Sequence, residues 1–125
     1  MERLDRKIRI YHIDEIKLGN VLKRVKHYYN ATDDVEDMFK ASFRELSANE
    51  VVRNKEANIE ATCQFKINKR RVEIGDFIEF ERPLFGVRTY SVNSIDAYDD
   101  KNKTRYILRA VEVKVGKFDL VRWGL

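Results

Sequence analysis

Cysteine, proline and histidine are nearly missing from this chain of 125 residues, which holds one Cys, one Pro and two His. The lone Cys63 excludes an internal disulfide framework and any site held by several cysteines. His12 and His27 match no short metal-ligand spacing, so neither a metal nor another cofactor is expected. The five glycines (Gly19, Gly75, Gly86, Gly116 and Gly124) never cluster, which removes the Gly-rich loop that cradles phosphates. No run comes near the roughly 18 apolar residues of a membrane-spanning helix, and no membrane partner is expected. The first residues, Met1 to Arg9, alternate charges with no apolar run behind them, so no secretory signal is predicted and the cell interior is the expected compartment.

What is present belongs to one folded domain. Hydrophobic residues make up 43% and charged residues 37%, a folding rather than a disordered composition. The formal charge of +4 understates an asymmetry along the chain. Residues 1–31 carry eight basic and four acidic groups, residues 32–60 carry four and eight, and residues 61–125 carry thirteen and nine. An acidic middle between basic flanks suits self-association through unlike surfaces as well as it suits nucleic acid.

Alternation predicts strands. Residues 7–13 read as a strand near a sheet edge, closed by a turn at Gly19-Asn20. Residues 21–30 fit helical and strand spacing equally, and Ala31 to Asp34 read as a turn. Residues 38–46 fit a strand with an irregularity. Ser47-Ala48-Asn49-Glu50 has capping-box spacing and predicts a short helix over about 48–57. Ile59, Ala61, Cys63, Phe65 and Ile67 alternate with polar residues, giving a strand with one buried face that includes Cys63. Further strands are expected over 77–81, 87–95 and 104–115, with Gly75-Asp76 and Phe85-Gly86 as turns and 96–103 as a polar hairpin connection. The 104–115 strand has apolar groups on both sides and so requires cover. The fold class expected is mainly β, a small antiparallel β-barrel over 1–115 with one short helix or long loop between strands and a C-terminal extension over 116–125.

Residues that could carry chemistry do not converge in the sequence, and no catalytic residues are assigned. Asp33, Asp34, Glu36 and Asp37 lack the spaced oxygen ligands and central Gly of a calcium loop and read as a solvated acidic run. Glu79 and Glu81 share a strand face without a third group to support acid–base work. Lys23, Arg24 and Lys26 interleave with Tyr28 and Tyr29, while Lys69, Arg70 and Arg71 make a second basic patch. In a single-strand-binding barrel the two rings would stack on bases and the cations would meet phosphates. The alternative places Tyr28 and Tyr29 in packing or at an interface, together with Val111 and Val113 of the last strand.

The order of these signals resembles the head–tail joining, or head-closure, proteins of long-tailed bacteriophages. Leu46-Ser47, Glu50 and Ala57 fit that family's strand-to-helix step, and Arg71-Val72 and Phe85-Gly86 fit its short strand and turn. Tyr90, Val92, Asp96, Arg105, Leu108 and Glu112 fit its closing hairpin, so the resemblance spans about residues 4–113. Residues 16–37 make a longer first connection than the family's, and its usual Trp near the second strand is absent. The resemblance implies a non-enzymatic virion protein, assembled in the host cytoplasm and located at the head–tail interface. It implies a homo-oligomeric ring between a portal-bound adaptor protein and a tail-terminator protein, closing a channel through which double-stranded DNA passes without specific binding. It also implies a channel-facing or gating segment over 47–58, with Ser47, Asn49, Glu50, Arg53, Asn54, Lys55 and Asn58 as its candidate residues.

Overall fold

The structure, a computed structural model, describes residues 3–30 and 37–125. The turn expected at 31–34, and the acidic run apart from Asp37, lie outside the described residues. β1 (Arg6–Leu18) and β2 (Val21–Tyr28) form an antiparallel hairpin closed by Gly19-Asn20. Gly19 has φ +65°, the left-handed conformation that such a tight turn requires. β1 therefore runs past the expected end at residue 13, to Leu18. Every residue of β2 has a ladder partner on β1, which settles the ambiguous stretch as strand.

β3 (Phe39–Glu45) and β4 (Cys63–Asn68) are joined by α1 (Ala48–Glu56). β5 (Phe77–Arg82), β6 (Gly86–Asp100) and β7 (Lys103–Val113) follow as an antiparallel meander, and β8 (Leu120–Trp123) returns to pair in parallel with β2. Six strands close on themselves in the order β1-β3-β4-β7-β6-β5, each pairing antiparallel. The expected mainly β, barrel-like architecture with one short helix is therefore present. β1 makes the closure: Ile8 pairs with Phe39 of β3 on one edge and with Phe80 of β5 on the other. From Tyr11 onward β2 takes over the β3 edge, so β2 and β8 extend the sheet beyond the ring.

The ring encloses one apolar core that includes Ile8, Ile10, Phe65, Ile67, Ile78 and Leu108. Each large aliphatic or aromatic side chain buried there contributes about 1.5–3 kcal/mol. Phe43, Phe65, Phe80 and Tyr90 pack with ring centroids 5.0–6.1 Å apart, in tilted and edge-on arrangements. Cys63 belongs to this core, its thiol donates to the Ala110 carbonyl at 3.4 Å, and burial pushes its pKa up to about 12. It stays protonated at neutral pH.

Three expectations are corrected. The strand expected from residue 59 begins at Cys63, because the Ile59 amide is drawn 2.7 Å from the Asn54 carbonyl to finish α1. Residues 96–103 are not a loop. β6 continues to Asp100 and only Lys101-Asn102 turn, both with positive φ. Cross-strand partners hold these polar positions in the ladder, with Thr104 donating to Asp99 at 3.0 Å and Arg109 bonded to Asp96. β7 ends at Val113 rather than 115. The segment 116–125, expected as a C-terminal extension, is tied to β2: the Asp119 amide donates to the Arg24 carbonyl at 2.8 Å, the Asp119 carboxylate accepts the Arg24 amide at 2.8 Å, and Leu125 packs against the core.

Candidate functional site

The segment 47–58 folds as one well-capped helix. The Ser47 hydroxyl accepts the Glu50 amide at 3.3 Å, and the Glu50 carboxylate accepts the Ser47 amide at 3.1 Å, completing the capping box. Glu50 also takes both guanidinium arms of Arg44 at 2.8 Å, and this pairing holds its carboxyl down at about 2. At the other end Asn58 donates to Lys55 and Ile59 to Asn54, a Schellman closure with Asn58 at φ +62°. Asn58 thus terminates the helix, and Ser47 starts it. Asn49, Arg53 and Lys55 are exposed on it, and Asn54 is half-buried.

Tyr28 and Tyr29 face opposite ways, as successive residues of an extended chain must. Tyr28 lies on the outer side of β1 and β2, where its hydroxyl donates to Glu79 at 2.5 Å. Lys26 reaches the same carboxylate at 2.9 Å and sits 4.6 Å from the centre of the Tyr11 ring. Trp123 stacks on Tyr28 at 4.2 Å, and Phe118 meets Tyr11 edge-on at 5.9 Å. The tail carrying β8 therefore covers this aromatic cluster. Burial and the Glu79 bond both raise the Tyr28 hydroxyl pKa, and burial pushes that of Tyr11 up to about 12. Glu79 is engaged here, whereas Glu81 is exposed.

Tyr29, 1% exposed, points into the core and donates to Asp76 at 2.7 Å. Asp76 is fully buried and also accepts the Glu73 amide at 2.9 Å and His12 Nδ1 at 2.7 Å. His12 Nε2 lies 3.3 Å from Asp14, which His27 approaches at 3.3 Å from its other oxygen. The bond to Asp76, reinforced by the charges of Asp76, Asp14 and Glu73, raises the His12 pKa despite its partial burial. Asp76 was legible as a turn residue only. Its partners are remote in sequence, so no local signal announces them.

Both tyrosines are thus buried against residues of their own chain, Tyr28 at 8% and Tyr29 at 1% exposure, which is the packing role among those expected of them. The cations beside them are drawn inward too. Arg24 lies 4.7 Å over Phe118, and Arg70 lies 3.7 Å over Phe39 while donating to the Asn30 carbonyl at 2.9 Å. Lys69 and Arg71 remain exposed, Lys23 is half-buried, and Val111 and Val113 are partly covered.

Sequence reasoning missed two apolar tips. Leu18, Val21 and Leu22 stand exposed at the β1–β2 turn, and Leu84, Phe85 and Val87 stand exposed at the β5–β6 turn. β1 and β5 are antiparallel neighbours, and each tip follows the C-terminal end of its strand, so the tips lie at opposite ends of this layer. The signal available was the Leu84-Phe85 pair beside Pro83 and Gly86, an apolar pair where a turn ordinarily carries polar residues. Neither a family model nor a curated protein matches this chain.

Proposed function

We propose that the protein is a structural connector of the phage head–tail joining, or head-closure, kind, acting without catalysis as a ring between the portal-bound adaptor and the tail-terminator protein. The observation that carries the reading is the pair of apolar tips at opposite ends of a closed β framework. A connector must hold unlike partners on opposite sides, and exposed apolar groups are what such contacts bury. The capped helix between β3 and β4 supports the reading as well, since it occupies the segment that the family resemblance gives to the channel. In this reading the protein resides at the head–tail interface of the virion, after assembly in the host cytoplasm, and DNA passes without being specifically held. The single-strand-binding reading would need Tyr28 or Tyr29 uncovered: Trp123 stacks on Tyr28, and Tyr29 points into the core.

The test is sedimentation and electron microscopy of the chain alone and with purified portal–adaptor particles. Leu22→Asp and Phe85→Asp should each leave the unfolding midpoint nearly unchanged, because both side chains are exposed, and each should abolish attachment to a different partner. A wild-type chain that neither forms rings nor attaches to portal–adaptor particles or tails would overturn the proposal.

A further inference from the structure

The register between β1 and β5 brings together three groups that the sequence keeps apart. Tyr11 pairs with Phe77, so the positions just beyond, His12 and Asp76, lie side by side. His12 Nδ1 stands 2.7 Å from Asp76 Oδ1. Asp76 closes a turn that begins at Glu73: its amide donates to the Glu73 carbonyl at 3.1 Å, and Gly75 supplies the left-handed residue at φ +96°. The turn is pinned to β6, since the Gly75 amide donates to the Val92 carbonyl at 2.8 Å and the Val92 amide to the Asp76 carbonyl at 2.9 Å. One imidazole nitrogen and one oxygen from each of two carboxylates thus lie within 4.8 Å of one another. Asp76 is fully buried, His12 is partly exposed and Glu73 is exposed, so the set is fixed on one side and open to solvent on the other.

The hydrogen bonds at Asp76 are unevenly shared. Oδ2 accepts both the Tyr29 hydroxyl and the Glu73 amide, whereas Oδ1 has only His12. On the other side of the imidazole, Nε2 lies 3.3 Å from Asp14. An outer carboxylate at the second ring nitrogen is how metal-binding imidazoles are oriented and made more basic. Nδ1 and Oδ1 remain as the two groups between which a proton or a metal ion can sit. We infer that His12 Nδ1, Asp76 Oδ1 and the Glu73 carboxylate bind one divalent transition-metal ion of the zinc class, with Asp14 as the outer partner of His12. The imidazole nitrogen selects against calcium and magnesium, which take oxygen ligands. Binding replaces the proton between Nδ1 and Oδ1, which leaves to solvent, while Nε2 keeps its own. Tetrahedral ligand atoms stand about 3.3 Å apart at zinc bond lengths of about 2.0–2.2 Å, so the ion widens the 2.7 Å pair through a small rotation of the partly exposed imidazole. The bound ion ties β1 to the turn before β5. The site does not depend on the connector reading.

The experiment dialyses the full, tag-free chain against a chelator, then titrates it with zinc by calorimetry and with cobalt(II) by visible absorption. One equivalent should bind, and saturating zinc should raise the unfolding midpoint by mass action. Asp76 is left intact, because its loss alone destabilises the fold. Glu73→Gln and His12→Gln, both at positions open to solvent, should each weaken zinc binding about tenfold or more and alter the cobalt spectrum. Glu56→Gln, on α1, should leave binding unchanged, because α1 follows the far end of β3 and so lies at the opposite end of the ring. Binding lost in His27→Gln but kept in Glu73→Gln would place the ion beside Asp14 and overturn the ligand set. Absence of one-equivalent zinc binding, equal affinity in wild type and both ligand variants, or equal binding of calcium overturns the inference.

Discussion

At Asp76 three donors from distant parts of the chain meet one carboxylate that has no access to water. Asp76→Ala leaves the Tyr29 hydroxyl and the Glu73 amide without their acceptor and should lower stability by about 3–5 kcal/mol in urea unfolding. Tyr29→Phe removes one bond to the charged group and should cost about 1.5–3 kcal/mol by the same measurement. A pH dependence follows from His12. Its pKa is raised in the folded protein, so its contribution is complete below the unfolded value of about 6.5 and is lost as pH rises through the folded value. The groups facing it are Asp76, Asp14 and Glu73, all acidic. The wild-type unfolding midpoint should therefore decline above about pH 6.5 relative to His12→Gln, which lacks that titration. Parallel pH profiles for the two proteins would refute the assignment.

At the scale of the element, α1 shows how local chemistry suffices. It has nine residues, none of them buried, so packing contributes little and its ends decide its stability. Ser47→Ala should cost about 0.5–2 kcal/mol and fray the first turn, read as faster amide exchange at Val51 and Val52. The capping box was legible because all its parts lie within four residues. The continuation of β6 through Asp96 to Asp100 was not legible, since acidic and polar residues in a row read as a loop until Thr104, Arg105 and Arg109 come alongside them. Residues 21–28 posed the converse problem. Their apolar spacing fits two periods, and only the β1 ladder chooses between them.

Across the whole molecule, stability should be uneven. Strands of the ring are paired on both edges around a shared core, whereas the β1–β2 arm beyond Asp14 and the β6–β7 tip project past it. Native-state hydrogen exchange should find the slowest amides at Phe65, Ile67, Leu108 and Ala110, and much faster exchange at Lys17, Leu22 and Lys101. Uniform protection throughout the chain would mean that the arms are as firmly held as the ring. The same division bears on the connector proposal, because contacts made by arms and tips leave the core undisturbed when a partner docks.

The residues themselves determined the alternating face of 61–67, the core position of Cys63, the Gly19-Asn20 turn and the start of α1. Each of these follows from periodicity or from groups a few residues apart, which act before any long-range contact forms. Only the tertiary structure decided that β1 closes the ring, that Tyr28 and Tyr29 are both buried and that the tail returns as β8. Those outcomes depend on register between strands remote in the chain, and register is set by the packing of the whole core rather than by any short stretch of sequence.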